Sequence, residues 1–348
     1  MDNKLFSIID TLSANHSLTF GQFEYLVTHR SDEGAMLLRN RAAAVRDDIY
    51  GKDVFIRGLI EFTNICRNDC YYCGIRKSNQ NLQRYRLSET QIMHCVRSGY
   101  DLGFRTFVLQ GGEDPAATDE AMCALVRQIK TEYPDCAVTL SLGERSRDSY
   151  AALKEAGADR YLLRHETATR EHYEKLHPSS MRLEHRMQCL SDLRDLGYAV
   201  GAGFMVGAPY QTPADLARDF VFLQEFQPDM VGIGPFIPHK DTPFKDFPAG
   251  TLEDTLYYLS ILRLLLPHVL LPATTALGTI HPLGREMGLQ HGANVIMPNL
   301  SPADVRKMYM LYDGKICVDD DATHCNACLD LRLEKFGYRV VIDRGDKR

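Results

Sequence analysis

Apolar and polar positions change their rhythm near Lys52. Before it, apolar residues recur three or four apart: Leu18, Phe20, Phe23 and Leu26, then Met36, Leu37 and the run Ala42-Ala43-Ala44-Val45. That spacing lines one face of an α-helix, so residues 1–50 are expected to form a helical lead-in. From Val54 onward, short apolar or β-branched runs alternate with longer amphipathic stretches, the pattern of parallel βα units. Eight runs stand out, at 54–62, 106–110, 137–142, 160–164, 199–206, 230–236, 269–274 and 294–298. Eight such units over roughly 250 residues predict a full (β/α)8 barrel across residues 51–300, with an open doubly wound sheet as the alternative. Past residue 300 the rhythm fades, and 301–348 reads as a charged extension wrapped on the barrel.

Composition narrows the classes. The chain has 348 residues, 45% of them hydrophobic, with 46 acidic against 40 basic side chains and a net charge of −6 at pH 7. This is the profile of a globular chain with a large core. The acidic balance gives no field for a phosphate backbone, so no nucleic-acid partner is expected, and no membrane partner either. The first ten residues carry acids where a leader needs a basic start and an apolar run, which predicts a cytoplasmic location. Ten cysteines are too dilute for a disulfide scaffold.

Their spacing is the informative part. Cys66, Cys70 and Cys73 stand as C-x3-C-x2-C just past the first predicted strand, with Tyr72 directly before the third. Three soft thiolates within eight residues can converge on one iron–sulfur cube and leave one iron open to another ligand. The alternatives are a zinc site completed by a distant ligand, or three unrelated buried thiols. After the second strand comes Gln110-Gly111-Gly112-Glu113. Its glycines serve either a tight turn or the close approach of a ligand to bare backbone.

Together these motifs resemble those of the radical S-adenosylmethionine (SAM) superfamily. The longer strings Arg57 to Asn64, Val138 to Glu144, Arg160 to Thr167, Val231 to His239 and Pro272 to Ala276 are similar to those of the [FeFe]-hydrogenase maturation enzymes of the HydE family, along essentially the whole chain. Biotin synthase and methylornithine synthase share the cysteine motif as relatives.

The resemblance implies a [4Fe-4S] cluster on Cys66, Cys70 and Cys73, with SAM chelated by its open iron and cleaved reductively to a 5′-deoxyadenosyl radical. It implies contacts to SAM from Gln110, Gly111, Gly112, Glu113, Glu166 and Met205, from Tyr72 beside the adenine, and from Arg186 on the carboxylate. Arg57, Thr139, Ser141, Arg160, Thr274, Thr275, Met297 and Tyr312 are implied to line the cavity around the substrate. One departure stands out: Gly111 replaces the serine of a Gln-Ser-Gly-Glu string, so any hydroxyl contact to SAM there must come from backbone or water.

The activity implied is attack of the radical on the cysteine sulfur of an iron–cysteine complex that bears carbon monoxide and cyanide. That complex would be made by HydG, and the product passed toward HydF. An electron donor such as a ferredoxin or flavodoxin would supply the reductant. Two alternatives remain: a methylornithine synthase-like mutase acting on lysine, and a non-catalytic iron–sulfur carrier.

Cys317, Cys325 and Cys328 form C-x7-C-x2-C in the extension, matching an auxiliary [2Fe-2S] or [4Fe-4S] site that only part of the family carries. Gly201, Gly203 and Gly207 imitate a dinucleotide fingerprint, but they lie inside a predicted strand and read as a bulge or a close backbone approach. Cys95, Cys123, Cys136 and Cys189 read as small buried hydrophobes. The barrel mouth is expected to gather Arg57, Arg160, Arg164 and Arg186 around an anionic ligand.

Overall fold

The computed structural model describes residues 2–317 and 329–348. Three helices lead: α1 (Asn3–Asn15), α2 (Phe20–Thr28) and α3 (Asp32–Tyr50). Each begins where a side-chain oxygen, of Asp2, Thr19 or Ser31, accepts an orphan N–H of the first turn. Along α3, Leu38, Ala42, Arg46 and Tyr50 are buried at four-residue intervals, so one stripe faces the barrel.

The barrel follows: β1 (Asp53–Ile56), β2 (Gly58–Thr63), α4 (Glu89–Asp101), β3 (Thr106–Gly111), α5 (Asp119–Glu132), β4 (Ala137–Ser141), α6 (Arg147–Glu155), β5 (Arg160–Leu162), α7 (Arg170–Leu176), α8 (Leu183–Asp195) and β6 (Ala199–Ala202). Next come β7 (Met205–Val206), α9 (Pro213–Phe226), β8 (Met230–Val231), β9 (Gly234–Pro235), α10 (Leu252–Leu265), α11 (Thr275–Ile280), α12 (Gly284–Gln290), β10 (Val295–Ile296), α13 (Ala303–Arg306) and β11 (Arg339–Val341).

Six strands pair in parallel in the order β2-β3-β4-β5-β6-β8. The ring then closes through parallel bridges from Met230 to Leu270 and from Pro272 to Val295, and through β10 paired with β1, which runs on into β2. This is a (β/α)8 arrangement in which the stave predicted at 269–274 is reduced to two bridges. Three predicted strands are split: 54–62 at Arg57 into β1 and β2, 199–206 into β6 and β7, and 230–236 into β8 and β9. At Gly203, φ is +150° and an added Cβ would stand 2.0 Å from the Gly232 carbonyl oxygen. Two backbones touch there, the β6–β8 ladder breaks, and it resumes as β7 with β9. Of the glycines of the false fingerprint, Gly203 thus serves strand-to-strand approach.

β11, from the C-terminal extension, pairs in parallel with β1. Among the described residues, no helix is long and apolar enough to cross a membrane.

Buried histidines make the fold acid-sensitive. Burial pushes His177 down to about 3 and His291, whose Nδ1 lies 3.0 Å from Ser260 Oγ, down to about 4. Both folded values lie below the unfolded value of roughly 6.5, so below that pH the unfolded chain takes protons the folded chain refuses. Stability is therefore full above pH 7 and lost as pH falls toward 4, by about 2 kcal/mol per histidine at pH 5. Thermal unfolding followed from pH 8 to 5 checks this, and His291→Asn is expected to flatten the profile by its share.

Candidate active site

Beyond β2 the chain enters a long loop before α4, and its frame is built on polar side chains. Arg84 donates to the carbonyl oxygens of Asn64, Ile75, Arg76 and Asn79 at 2.6–3.1 Å. Asn64 Nδ2 donates to the Gln83 and Met308 carbonyls, while Asp69 accepts from Arg76 Nε at 2.7 Å and from Ser78 N at 3.0 Å. On this frame Cys66, Cys70 and Cys73 are half-buried.

Burial raises all three thiols. Cys73 is pushed up to about 12 with Cys66 adding repulsion, and Cys70 is held well above the usual range by burial and then by Cys73. Thiols raised in this way, whose thiolates would repel one another, ionise when a metal centre supplies the positive charge. A donor set of three thiols on one loop is of a kind that could hold an iron–sulfur cluster.

The loop opens on a cavity of about 380 Å³ at the C-terminal end of the strands, within the range of roughly 300–1,000 Å³ for small-molecule sites. Its wall includes Tyr72, Gln110, Gly111, Gly112, Glu113, Glu166, Arg186 and Met205, and also Ser141, Thr274, Thr275, Met297 and Tyr312. Gly112 owes its missing side chain to the cysteine loop: a Cβ there would lie 2.4 Å from the Ile65 carbonyl oxygen and 2.7 Å from Cys66 Cβ. At Gly111 a Cβ would meet Thr63 Cγ2 at 2.6 Å, which accounts for glycine where a serine is expected.

The polar groups of the wall are held from behind. Arg186 Nε donates to Glu144 Oε1 at 2.5 Å and Nη1 to the Arg164 carbonyl at 2.6 Å, which fixes the guanidinium plane. Burial opposes the Arg186 charge, but Tyr173 and Glu144 outweigh it and keep the group cationic.

Glu166, four residues past the end of β5, lies in the left-handed region at φ +66°, a strained geometry for a side-chain-bearing residue. Its N–H donates to the Gly203 carbonyl at 3.0 Å, and Gly203 N donates to His165 Nδ1 at 3.3 Å. His165 Nε2 in turn lies 3.3 Å from Asp219, both side chains fully buried. Arg164 stands 3.0 Å from Glu166 Oε2 without hydrogen-bond alignment, and among the described residues Thr274 Oγ1 has no hydrogen-bond partner, so polar capacity is left on the cavity wall. Tyr72 is fixed by His177, whose Nε2 lies 3.2 Å from its hydroxyl while Nδ1 lies 3.0 Å from the Tyr173 carbonyl.

Three expected wall residues lie elsewhere. Arg57, Thr139 and Arg160 line a separate cavity of about 30 Å³ with Asp229, Asp346 and Lys347, and Met230 borders both cavities. Arg160 opens β5, and Arg57, between β1 and β2, stands one residue before Gly58, which pairs with Phe107 near the start of β3, so both lie toward the barrel floor. Thr139 is in register with Arg160, whereas Ser141, two residues on, is in register with Gln110 and reaches the upper cavity. The floor arginines serve the C-terminal tail: Arg160 donates to the Arg344 carbonyl at 2.8 Å and pairs with Asp346 at 2.5 Å, and Arg57 donates to the Gly345 carbonyl at 3.3 Å. The expected gathering of four arginines at the mouth is therefore corrected to Arg164 and Arg186.

Of the second cysteine set, Cys317 lies 3.3 Å from Arg285 Nη2, and Cys325 and Cys328 lie outside the described residues. Cys95, Cys123, Cys136 and Cys189 are buried.

Sequence reasoning missed Glu61, Tyr309 and Lys315, which also line the upper cavity. A carboxylate inside the apolar run Leu59-Ile60-Glu61-Phe62 was the available signal. Nothing local marked Lys315.

Comparison with known proteins agrees with this geometry. Residues 60–223 match the model of the Radical SAM superfamily. The chain is 48% identical to the [FeFe] hydrogenase maturase subunit HydE of Thermotoga maritima, over 88% of this chain and 87% of that one. It is 29% identical to 3-methylornithine synthase of Methanosarcina barkeri, over 85% of this chain and 83% of that one. Among solved structures, methylornithine synthase (PylB) superposes with a TM-score of 0.83 at 26% identity, covering 96% of this chain and 97% of that one. With a cysteine loop and a Gly-Gly strand end beside the upper cavity of a closed parallel barrel, and with such identity along nearly its full length, this chain belongs to the HydE family of [FeFe]-hydrogenase maturases, within the radical SAM enzymes.

Proposed function

We propose that this enzyme binds a [4Fe-4S] cluster on Cys66, Cys70 and Cys73 and cleaves SAM to attack the cysteine sulfur of an iron–cysteine complex bearing carbon monoxide and cyanide. One observation carries the reading: the three thiols, the Gly111-Gly112 strand end and the hydroxyls of Ser141, Thr274 and Thr275 line one cavity. When bound, cluster and SAM supply a reductant and a sulfonium whose cleavage gives a 5′-deoxyadenosyl radical.

The chain's own residues orient and enclose. Arg186, with its plane set by Glu144, offers its remaining N–H groups to the SAM carboxylate, a fork that suits that anion. Glu166 accepts from SAM hydroxyls, while Tyr72, Met205 and Phe236 give the adenine an apolar seat. Gln110, Gly111, Gly112 and Glu113 line the methionyl end. Thr274, with its hydroxyl unpaired, together with Thr275, Ser141, Met297 and Tyr312, surrounds the substrate and keeps water from a reactive radical. HydG is the proposed source of the complex, HydF the acceptor of the product, and a ferredoxin or flavodoxin the electron donor.

The likeness to methylornithine synthase favours a second reading, a mutase acting on lysine. The test is anaerobic reconstitution with SAM and dithionite, offering the iron–cysteine complex or lysine, with 5′-deoxyadenosine measured and adducts followed by electron paramagnetic resonance. A substrate-dependent adduct with the complex is expected, and an adduct with lysine alone overturns the proposal.

A further inference from the structure

Glu61 stands in β2 with its side chain 1% exposed. Its Oε1 accepts from Lys315 Nζ at 2.5 Å and its Oε2 from Asn299 Nδ2 at 2.8 Å. Lys315 is nearly as buried, donates also to the Tyr309 carbonyl at 3.0 Å, and stands 4.9 Å from the centre of the Tyr309 ring. A buried carboxylate, a carbonyl acceptor and an aromatic face converging on one point make an ammonium site. This one opens on the upper cavity, and the chain fills it with its own lysine.

The other carboxylates of that wall are matched as well. Glu113 lies 2.9 Å from Arg67, and Glu166 lies 3.0 Å from Arg164. Among the described residues, each carboxylate lining the cavity therefore has a cationic side chain of this chain within 3.0 Å.

We propose that Glu61 and Lys315 are a specificity-determining pair, with Lys315 seated where the ammonium of a free amino-acid substrate would otherwise be held. The cavity then rejects substrates that depend on an ammonium–carboxylate contact. It accepts an amino acid whose nitrogen is bound to a metal, because a coordinated amine has given its lone pair to the metal and carries no ammonium charge. Rejection works by occupancy: a second ammonium would have to displace a tethered one from a desolvated partner. This inference rests on the reading of the upper cavity as the substrate cavity.

The test is to remove the tethered cation and offer a free one. Lys315→Ala leaves room for n-propylammonium, which replaces the missing three carbons and nitrogen. By calorimetric titration of the reconstituted enzyme, n-propylammonium should bind Lys315→Ala at least tenfold more tightly than it binds wild type, and the gain should vanish in Glu61→Gln/Lys315→Ala. No gain, or a gain that survives loss of the carboxylate, overturns the proposal.

If Lys315→Ala does not fold, Glu61→Gln takes its place. There the Lys315 ammonium is left uncompensated, and acetate should bind at least tenfold more tightly than to wild type, with absence of that gain overturning the pairing. Because the titrations need no turnover, they can fail while the iron–cysteine assay succeeds. The reverse outcome would instead sink the functional reading.

Discussion

Cys66→Ala, reconstituted anaerobically with iron, sulfide and SAM, is expected to form 5′-deoxyadenosine at least a thousandfold more slowly than wild type, which corresponds to about 4 kcal/mol of lost barrier reduction. Three thiolates on a four-iron cube leave one iron for SAM, and removing any of them leaves two irons without a protein ligand. Among the described residues, the hydrogen-bond contacts of these sulfurs offer no further thiolate. Asn68 N approaches Cys66 Sγ as a donor at 3.4 Å, and Cys70 packs against Met181 at 3.7 Å. Cys70→Ala and Cys73→Ala should fail alike.

The control is a buried cysteine away from the loop. Cys95 and Cys189 are 3% and 2% exposed, so Cys95→Ala or Cys189→Ala should lower the melting temperature without changing iron content. Iron per chain and the spectrum of the reduced cluster separate the two groups. A Cys66→Ala chain that keeps both cluster and SAM cleavage would refute the assignment.

Gly112→Ala should cost nearly as much without touching a ligand atom. The added Cβ would fall 2.4 Å from the Ile65 carbonyl oxygen and 2.7 Å from Cys66 Cβ. Neither contact is the far end of a flexible side chain. The β3 strand end is held by the Gly112 N–H on the Thr63 carbonyl at 3.2 Å, so the cysteine loop must give way. A misplacement of about 1 Å at a reacting centre costs on the order of a hundredfold in rate, and iron retention should fall with it. Gly21→Ala in α2, where none of the described residues stands within 4 Å of the added Cβ, is the matched control. It should leave activity unchanged and raise stability slightly, because alanine is the better helix former. Equal activity of Gly112→Ala and wild type would show that the loop is not seated against this turn.

The legible part of this protein was its local part. A three-thiol spacing is decided within eight residues, and the Gly111-Gly112 strand end within two. Run lengths and turns likewise marked seven of the eight staves well enough to imply a closed parallel barrel. The stave at 269–274 was legible as an apolar run, yet it forms only the bridges at Leu270 and Pro272. Hydrophobicity reports burial, and burial does not require a ladder of hydrogen bonds.

Height within the barrel was not legible. Strands buried on both faces read as continuous apolar runs, without the alternation that tells one face from the other. Nothing in Arg57, Thr139 and Arg160 as letters says that they face the floor and the tail rather than the mouth. Register decides it, since Thr139 stands level with Arg160 and Ser141 level with Gln110.

By itself, then, the sequence determined the three-cysteine motif, the βα alternation and the family, because each is written in residues close along the chain. Only the tertiary structure decided which polar residues share the cavity. Glu61 and Lys315 are 254 positions apart, and whether two such charges meet depends on closure of the ring and on the path of the chain beyond it, which no local spacing encodes.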